Sequence, residues 1–211
     1  MILILKILLW LSIAIALISA IVFWKYYKYS LQRYFPHLLV LILVTEILST
    51  TLKEFITGFN ASPLYNILSI ISIYFYLIWF FLILKKSNLI KIGIYIFSAS
   101  IIFSIFKYSF LSEIYKTMWF TGAILILIAS VIYYNILLKD DNLLYYKSNQ
   151  TFWISSGLLI FYIGYLPLLL FFSYGYIKSN SLYYRIPVLL LNFALYGSFA
   201  KSFICSKNLK I

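Results

Sequence analysis

The chain has 211 residues, of which 64% are hydrophobic and 10% charged, against roughly 25% charged residues in an ordinary soluble domain. With a mean hydropathy of +1.01, it reads as a chain solvated by lipid. The formal net charge is +12, yet the cations are spread thinly between apolar runs and form no patch of the kind that neutralises nucleic-acid phosphates, so no nucleic-acid partner is expected.

Apolar runs of about 20 residues, each enough to cross ~30 Å of hydrocarbon as a helix, recur along almost the whole length. They predict an all-α polytopic membrane protein, a single transmembrane domain over 1–211. Its bundle of seven helices runs at about 2–24, 36–53, 63–84, 90–110, 117–138, 151–173 and 183–204. What remains covers connections and short ends, which leaves no room for a soluble kinase, nuclease or nucleotide-binding domain.

Lys6 followed by an apolar stretch, with Ala14-Ile15-Ala16, mimics a secretory signal and its cleavage site. The run continues through Val22 and Phe23, however, and a basic cluster follows it, as in a retained first span with its N-terminus outside. The connection Lys25 to Phe35 is basic and tyrosine-rich, and Pro36 and Pro63 suit the first turns of the second and third helices. Gly58, Asn60, Ser62 and Pro63 make the next break. "LKDDNLLYYKSNQ" is the longest polar interval, and "SYGYIKSNS" returns the chain to the outside. Lys25, Lys28, Arg33, Lys85, Lys86, Lys91, Lys139, Lys147, Lys201, Lys207 and Lys210 fall on one side of this topology. Lys6, Lys53, Lys107, Lys116, Lys178 and Arg185 fall on the other. Lys and Arg are held back on the cytoplasmic side, so the N-terminus is expected outside and the C-terminus in the cytoplasm.

Trp24, Tyr26, Tyr27, Tyr34, Trp119, Tyr133, Tyr134, Tyr145, Tyr146, Trp153, Tyr174, Tyr176, Tyr183 and Tyr184 stand at span ends. There they read as interfacial belts, an apolar ring with a polar tip. The single cysteine, Cys205, excludes an internal disulfide and a cysteine-based metal site. The single histidine, His37, has no second histidine or nearby carboxylate to share a metal, and nothing in the sequence calls for a cofactor. Lys201 lies near the basic end of the last span with Lys207 and Lys210, not mid-span where a Schiff-base lysine belongs.

The informative polar residues lie inside the spans. In "LVLILVTEILSTTLKEF", residues 39–55, spacings of three and four put Glu46, Ser49, Thr50 and Lys53 on one helical face. An ionised carboxylate at membrane depth costs several kcal/mol unless it is paired or hydrated, so this stripe is expected to face other helices. Glu46 becomes either a ligand, ion or proton site or an interhelical hydrogen-bond anchor. Asn66, Asn135 and Asn192 are candidate partners on other spans, and Arg185 opens the last span as a cation that could receive an anionic ligand or snorkel to headgroups.

"TFWISSGLLIFYIGYLPLLLFF" places Gly157 and Gly164 seven residues apart, nearly on one face, where another helix can approach closely, and Pro167 should kink it. Together with the acid in the second span, "PLYNILSIISIYFYLIWF" in the third and a last span ending near Cys205, this resembles uncharacterised small seven-span bacterial membrane proteins, some encoded beside sensor kinases. The resemblance covers most of the chain. It implies a signalling connection in the bacterial inner membrane and carries over no catalytic residue.

Three classes of function follow. The first is a sensory or regulatory subunit that binds a small or lipidic ligand near Glu46 and signals to a separate cytoplasmic or membrane partner. The second is a pore or transport protein, including a membrane-permeabilising defence effector and requiring a homo-oligomer or one hydrated bundle. The third is an intramembrane enzyme acting on lipid, for which Glu46, His37 and Glu113 supply few reactive groups. Membrane lipids are partners in all three.

Overall fold

A helix in hydrocarbon satisfies its peptide groups within itself, so apolar runs of this length have a strong reason to be helical from end to end. The structure, a computed structural model, describes residues 2–85, 87–139, 146–174 and 181–208. Lys86, the interval 140–145, and Tyr176, Lys178 and Lys210, which enter the charge and belt readings above, lie outside the described residues. No strand occurs among the described residues. The helices are α1 (Ile2–Val22), α2 (Trp24–Tyr27), α3 (Phe35–Phe55), α4 (Ser62–Ile83), α5 (Asn88–Lys107), α6 (Lys116–Leu137), α7 (Gln150–Ser173) and α8 (Leu182–Cys205). Among the described residues seven of these, all but the single turn of α2, are long and apolar enough to cross a membrane. Their limits fall within about three residues of those read from the apolar runs, close to the uncertainty of any helix boundary.

Local chemistry explains the ends. Pro36 and Pro63 are the second residues of α3 and α4, where an N–H would have no partner in the helix. Asn60 Oδ1 receives the Ser62 N–H at 2.9 Å and the Ser62 hydroxyl at 2.7 Å, fixing the start of α4. Gly58 takes the left-handed conformation, φ 81°, in the connection before it. Within the helices Ser and Thr donate back to carbonyls a turn earlier, for example Thr45 to Leu41 at 2.8 Å and Ser104 to Ser100 at 2.7 Å, so their hydroxyls cost little among apolar neighbours.

The chain divides into two compact units, residues 1–40 with 130–211, and residues 41–129. In the first, α8 packs on both α1 and α7. Ile13, Ala16 and Ala20, all fully buried, recur at spacings of three and four along α1. The partner of the glycine face on α7 is α8: a Cβ on Gly157 would lie 2.8 Å from Ser198 Cβ and 3.2 Å from the Leu195 carbonyl, and one on Gly164 would meet Leu191. Pro167 interrupts the hydrogen-bond ladder inside α7, and the helix continues past it to Ser173.

Two belt residues depart from expectation. Tyr27 is 1% exposed, because its ring packs at a tilt against Phe203 at 5.1 Å and its hydroxyl donates to the Ala20 carbonyl in the last turn of α1 at 2.6 Å. Phe35 against Phe199 at 5.5 Å and Gln32 Nε2 donating to Thr151 Oγ1 at 3.0 Å dock the rest of the connection on α8 and α7. Tyr133, at 6% exposure, is likewise a core residue. In the second unit Tyr74 of α4 meets α5 twice, its hydroxyl 2.7 Å from Ser98 Oγ and its ring edge-on to Phe97.

Two expectations follow. Gly157→Ala pushes a methyl into Ser198 and the α8 backbone and should destabilise the chain by about 1–3 kcal/mol, whereas Gly197→Ala, with nothing within 4 Å, should be neutral or stabilise by up to about 1 kcal/mol. Thermal unfolding of both variants in the same detergent checks the opposite signs. Burial also pushes the Tyr27 phenol well above its ordinary value. An unfolded phenol ionises near pH ~10, so the stabilisation is complete below that pH and is lost as pH rises above it. Wild type should exceed Tyr27→Phe by about 1 kcal/mol at neutral pH, and that margin should vanish by about pH 11, at ~1.4 kcal/mol per pH unit.

Candidate functional site

Glu46 sits near the middle of α3, roughly 15 Å from either end at about 1.5 Å per residue, and its side chain is half-buried. Tyr65, on the first turn of α4, donates its phenol to Glu46 Oε2 at 3.1 Å and lies 3.0 Å from Ser49 Oγ. Ser49 and Thr50, both buried, turn their hydroxyls to the Glu46 carbonyl at 3.0 Å each. Tyr65 and Ser49 bring one hydroxyl proton each to three oxygen contacts, so the Ser49 proton is shared between the phenol oxygen and the Glu46 carbonyl. The result is a carboxylate oriented by a phenol from the neighbouring helix, with two hydroxyls fixing the backbone beneath it.

The fourth member of the stripe does not join it. Lys53 is exposed in the last turn of α3. One turn beyond Thr50 its stem reaches past the helix end, where an ammonium is hydrated and faces the negative end of the helix dipole.

Asn66 is fully buried and does something other than pair across the middle of a span. Its Nδ2 donates to the Glu113 carbonyl at 2.9 Å, and its Oδ1 accepts the Tyr115 N–H at 3.0 Å. One amide thus satisfies a donor and an acceptor of the backbone between α5 and α6. Asn60 adds a second tie, Nδ2 to the Ser112 carbonyl at 2.8 Å. Adjacent residues at the start of α4 therefore carry the phenol that orients Glu46 and the amide that holds the connection 108–115.

The other candidates lie elsewhere. Asn135, Asn192 and Arg185 belong to the first unit. Asn135 is exposed, Asn192 donates to the Val188 carbonyl of its own helix at 2.8 Å, and Arg185 is half-buried in the first turn of α8. Helix-internal bonding suffices for Asn192, since a carbonyl one turn back is always within reach. His37 and Glu113 are exposed, and Lys201 is exposed with its ammonium 5.8 Å from the Trp153 ring. Among the described residues no group of three or more His, Cys, Asp and Glu could hold a metal ion.

Tyr65 was the residue hidden in the sequence, since a tyrosine at a span end reads first as a belt residue. The available signal was its place in the first turn of the third span, beside Asn66. No protein-family model, curated protein or solved structure matches the chain, which leaves the geometry around Glu46 as the basis for function.

Asn66→Leu should leave the Glu113 carbonyl and Tyr115 N–H without their partner at a cost of roughly 1–3 kcal/mol each. Asn66→Asp, which keeps the acceptor for Tyr115, should lose the donor to Glu113 and place a carboxylate against its carbonyl. Unfolding in detergent should show both variants below wild type.

Proposed function

We propose that this chain is a multi-pass protein of the bacterial inner membrane, with its N-terminus outside and its C-terminus in the cytoplasm. It acts as a sensory or regulatory subunit: a small or lipidic ligand carrying a positive charge or hydrogen-bond donor binds at Glu46, and the change in α3 and α4 passes to a separate protein partner. The observation that carries this reading is the carboxylate itself, half-buried in the middle of an apolar helix and oriented by Tyr65 at 3.1 Å. Membrane-depth ionisable groups are expensive and mark binding or transfer sites. Orientation is supported by the excess of Lys and Arg on alternate connections, and a signalling role by the resemblance to small seven-span proteins encoded beside sensor kinases.

The test is a thermal-shift screen of small amines and single-chain lipids on the purified protein, repeated with Glu46→Gln and Tyr65→Phe. A compound that stabilises wild type should bind about tenfold to a hundredfold more weakly to Glu46→Gln, the worth of a hydrogen bond to a charged group. Stabilisation indifferent to Glu46 would overturn the site. A steady ion current from the same protein in liposomes would replace the sensor reading with a pore.

A further inference from the structure

The first unit carries a second feature, built from different residues. An open groove of about 460 Å³ is lined by Leu17 and Ile21 of α1, Trp24 of α2, and Pro36, His37 and Val40 of α3. Its volume falls within the ~300–1,000 Å³ of small-molecule sites. Ile21, Trp24 and Val40 are 64%, 38% and 45% exposed, so the groove opens onto the same surroundings as the outer faces of helices apolar enough to cross a membrane. Its wall is hydrocarbon over most of its length, with His37 and the Trp24 indole as its polar members.

Along the chain the groove-lining residues are flanked by cations, a basic rim in sequence. Lys25 follows Trp24 directly, and Arg33 stands one helical turn before His37. Each cation lies over the ring of the tyrosine that follows it: Lys25 on Tyr26 at 4.9 Å, Lys28 on Tyr29 at 4.9 Å and Arg33 on Tyr34 at 4.6 Å. A ring face holds a cation without neutralising it. Among the described residues the acidic side chains are Glu46, Glu54 and Glu113, none of them in this unit; Asp140 and Asp141 lie outside the described residues.

We propose that this groove is a binding site for an anionic phospholipid, with an acyl chain along Leu17, Ile21 and Val40 and the headgroup phosphate between Arg33, His37 and Lys25. A soluble phosphate would use the cations and leave the apolar wall without purpose. A zwitterionic lipid would use the wall, but its own ammonium would oppose the rim. Basic pockets beside membrane helices recognise acidic headgroups by this combination. The groove shares no lining residue with the Glu46 site.

The test uses the full chain in dodecyl maltoside, titrated with phosphatidylglycerol, with phosphatidylcholine of the same acyl chains, and with glycerol phosphate. Bound lipid is counted by native mass spectrometry, and unfolding temperature is followed in parallel. Phosphatidylglycerol should be retained and should raise the unfolding temperature; phosphatidylcholine and glycerol phosphate should do neither. Removing one rim cation by Arg33→Gln or Lys25→Gln, both at exposed positions, should weaken phosphatidylglycerol binding about fivefold. Val40→Trp, also exposed, should fill the groove and abolish retention while the basal unfolding temperature stays within the wild-type range. Equal retention of the two lipids, full competition by glycerol phosphate, or unchanged retention in Arg33→Gln and Val40→Trp would each overturn the proposal.

Discussion

A polar side chain set among twenty apolar ones must spend its hydrogen bonds on its own helix, on a neighbour, or on something that arrives from outside, and this constraint sorts nearly every polar group described. Most serines and threonines take the first course, donating to a carbonyl three or four residues back. Asn66 takes the second, with both amide atoms committed to backbone between α5 and α6. Glu46 goes further: a carboxylate offers about four acceptor directions, and in a half-buried position a group with that capacity can receive a ligand as well as hold a helix.

The helices were legible because the signal that makes them is local. A run of about 20 apolar residues is its own instruction to be helical, and α1 and α3–α8 coincide with such runs. The face carrying Glu46, Ser49 and Thr50 was legible for the same reason, since helical spacing alone groups them. Lys53 obeyed the spacing but not the environment, because it lies one turn closer to the helix end. What spacing does not contain is the partner. Asn66 reaches backbone 47 and 49 residues away, and the face of Gly157 and Gly164 could have met any helix until packing placed α8 against it. Tyrosine was the least legible residue type. Its ring suits a core and its hydroxyl suits an interface, so composition assigned Tyr27 and Tyr133 to belts when Phe203 and the end of α1 had already claimed Tyr27 for the interior.

The aromatic excess therefore serves several physical ends. Buried rings fill the seams between helices, Phe35 against Phe199 and Tyr27 against Phe203, and the half-buried Tyr74 meets the buried Phe97. Exposed and half-buried rings carry cations, three times within the stretch from Lys25 to Tyr34 and again where Lys201 rests over Trp153. A cation on a ring face keeps its charge while losing some of its hydration, which favours a compact anion over bulk water. Sequence counting sees these lysines as an orientation signal. Their placement over rings adds that they are held in position, and a held charge can select a partner where a free one only attracts it.

Helix α3 links these features. Its first turns carry Pro36, His37 and Val40 on the groove wall, and the same unbroken helix carries Glu46, Ser49 and Thr50 further along. Linkage depends on difference, not on distance: if an occupant at either position binds two arrangements of α3 with unequal affinity, it shifts the balance between them, and the effect on binding at the other position is reciprocal. A factor of ten between the two arrangements corresponds to about 1.4 kcal/mol, which one charge-assisted hydrogen bond to Glu46 could supply. Equal affinity for both arrangements would give no coupling however tightly the occupant bound. Glu46, able to make one strong, geometry-dependent bond near the middle of α3, is the group on this helix that can supply such a difference.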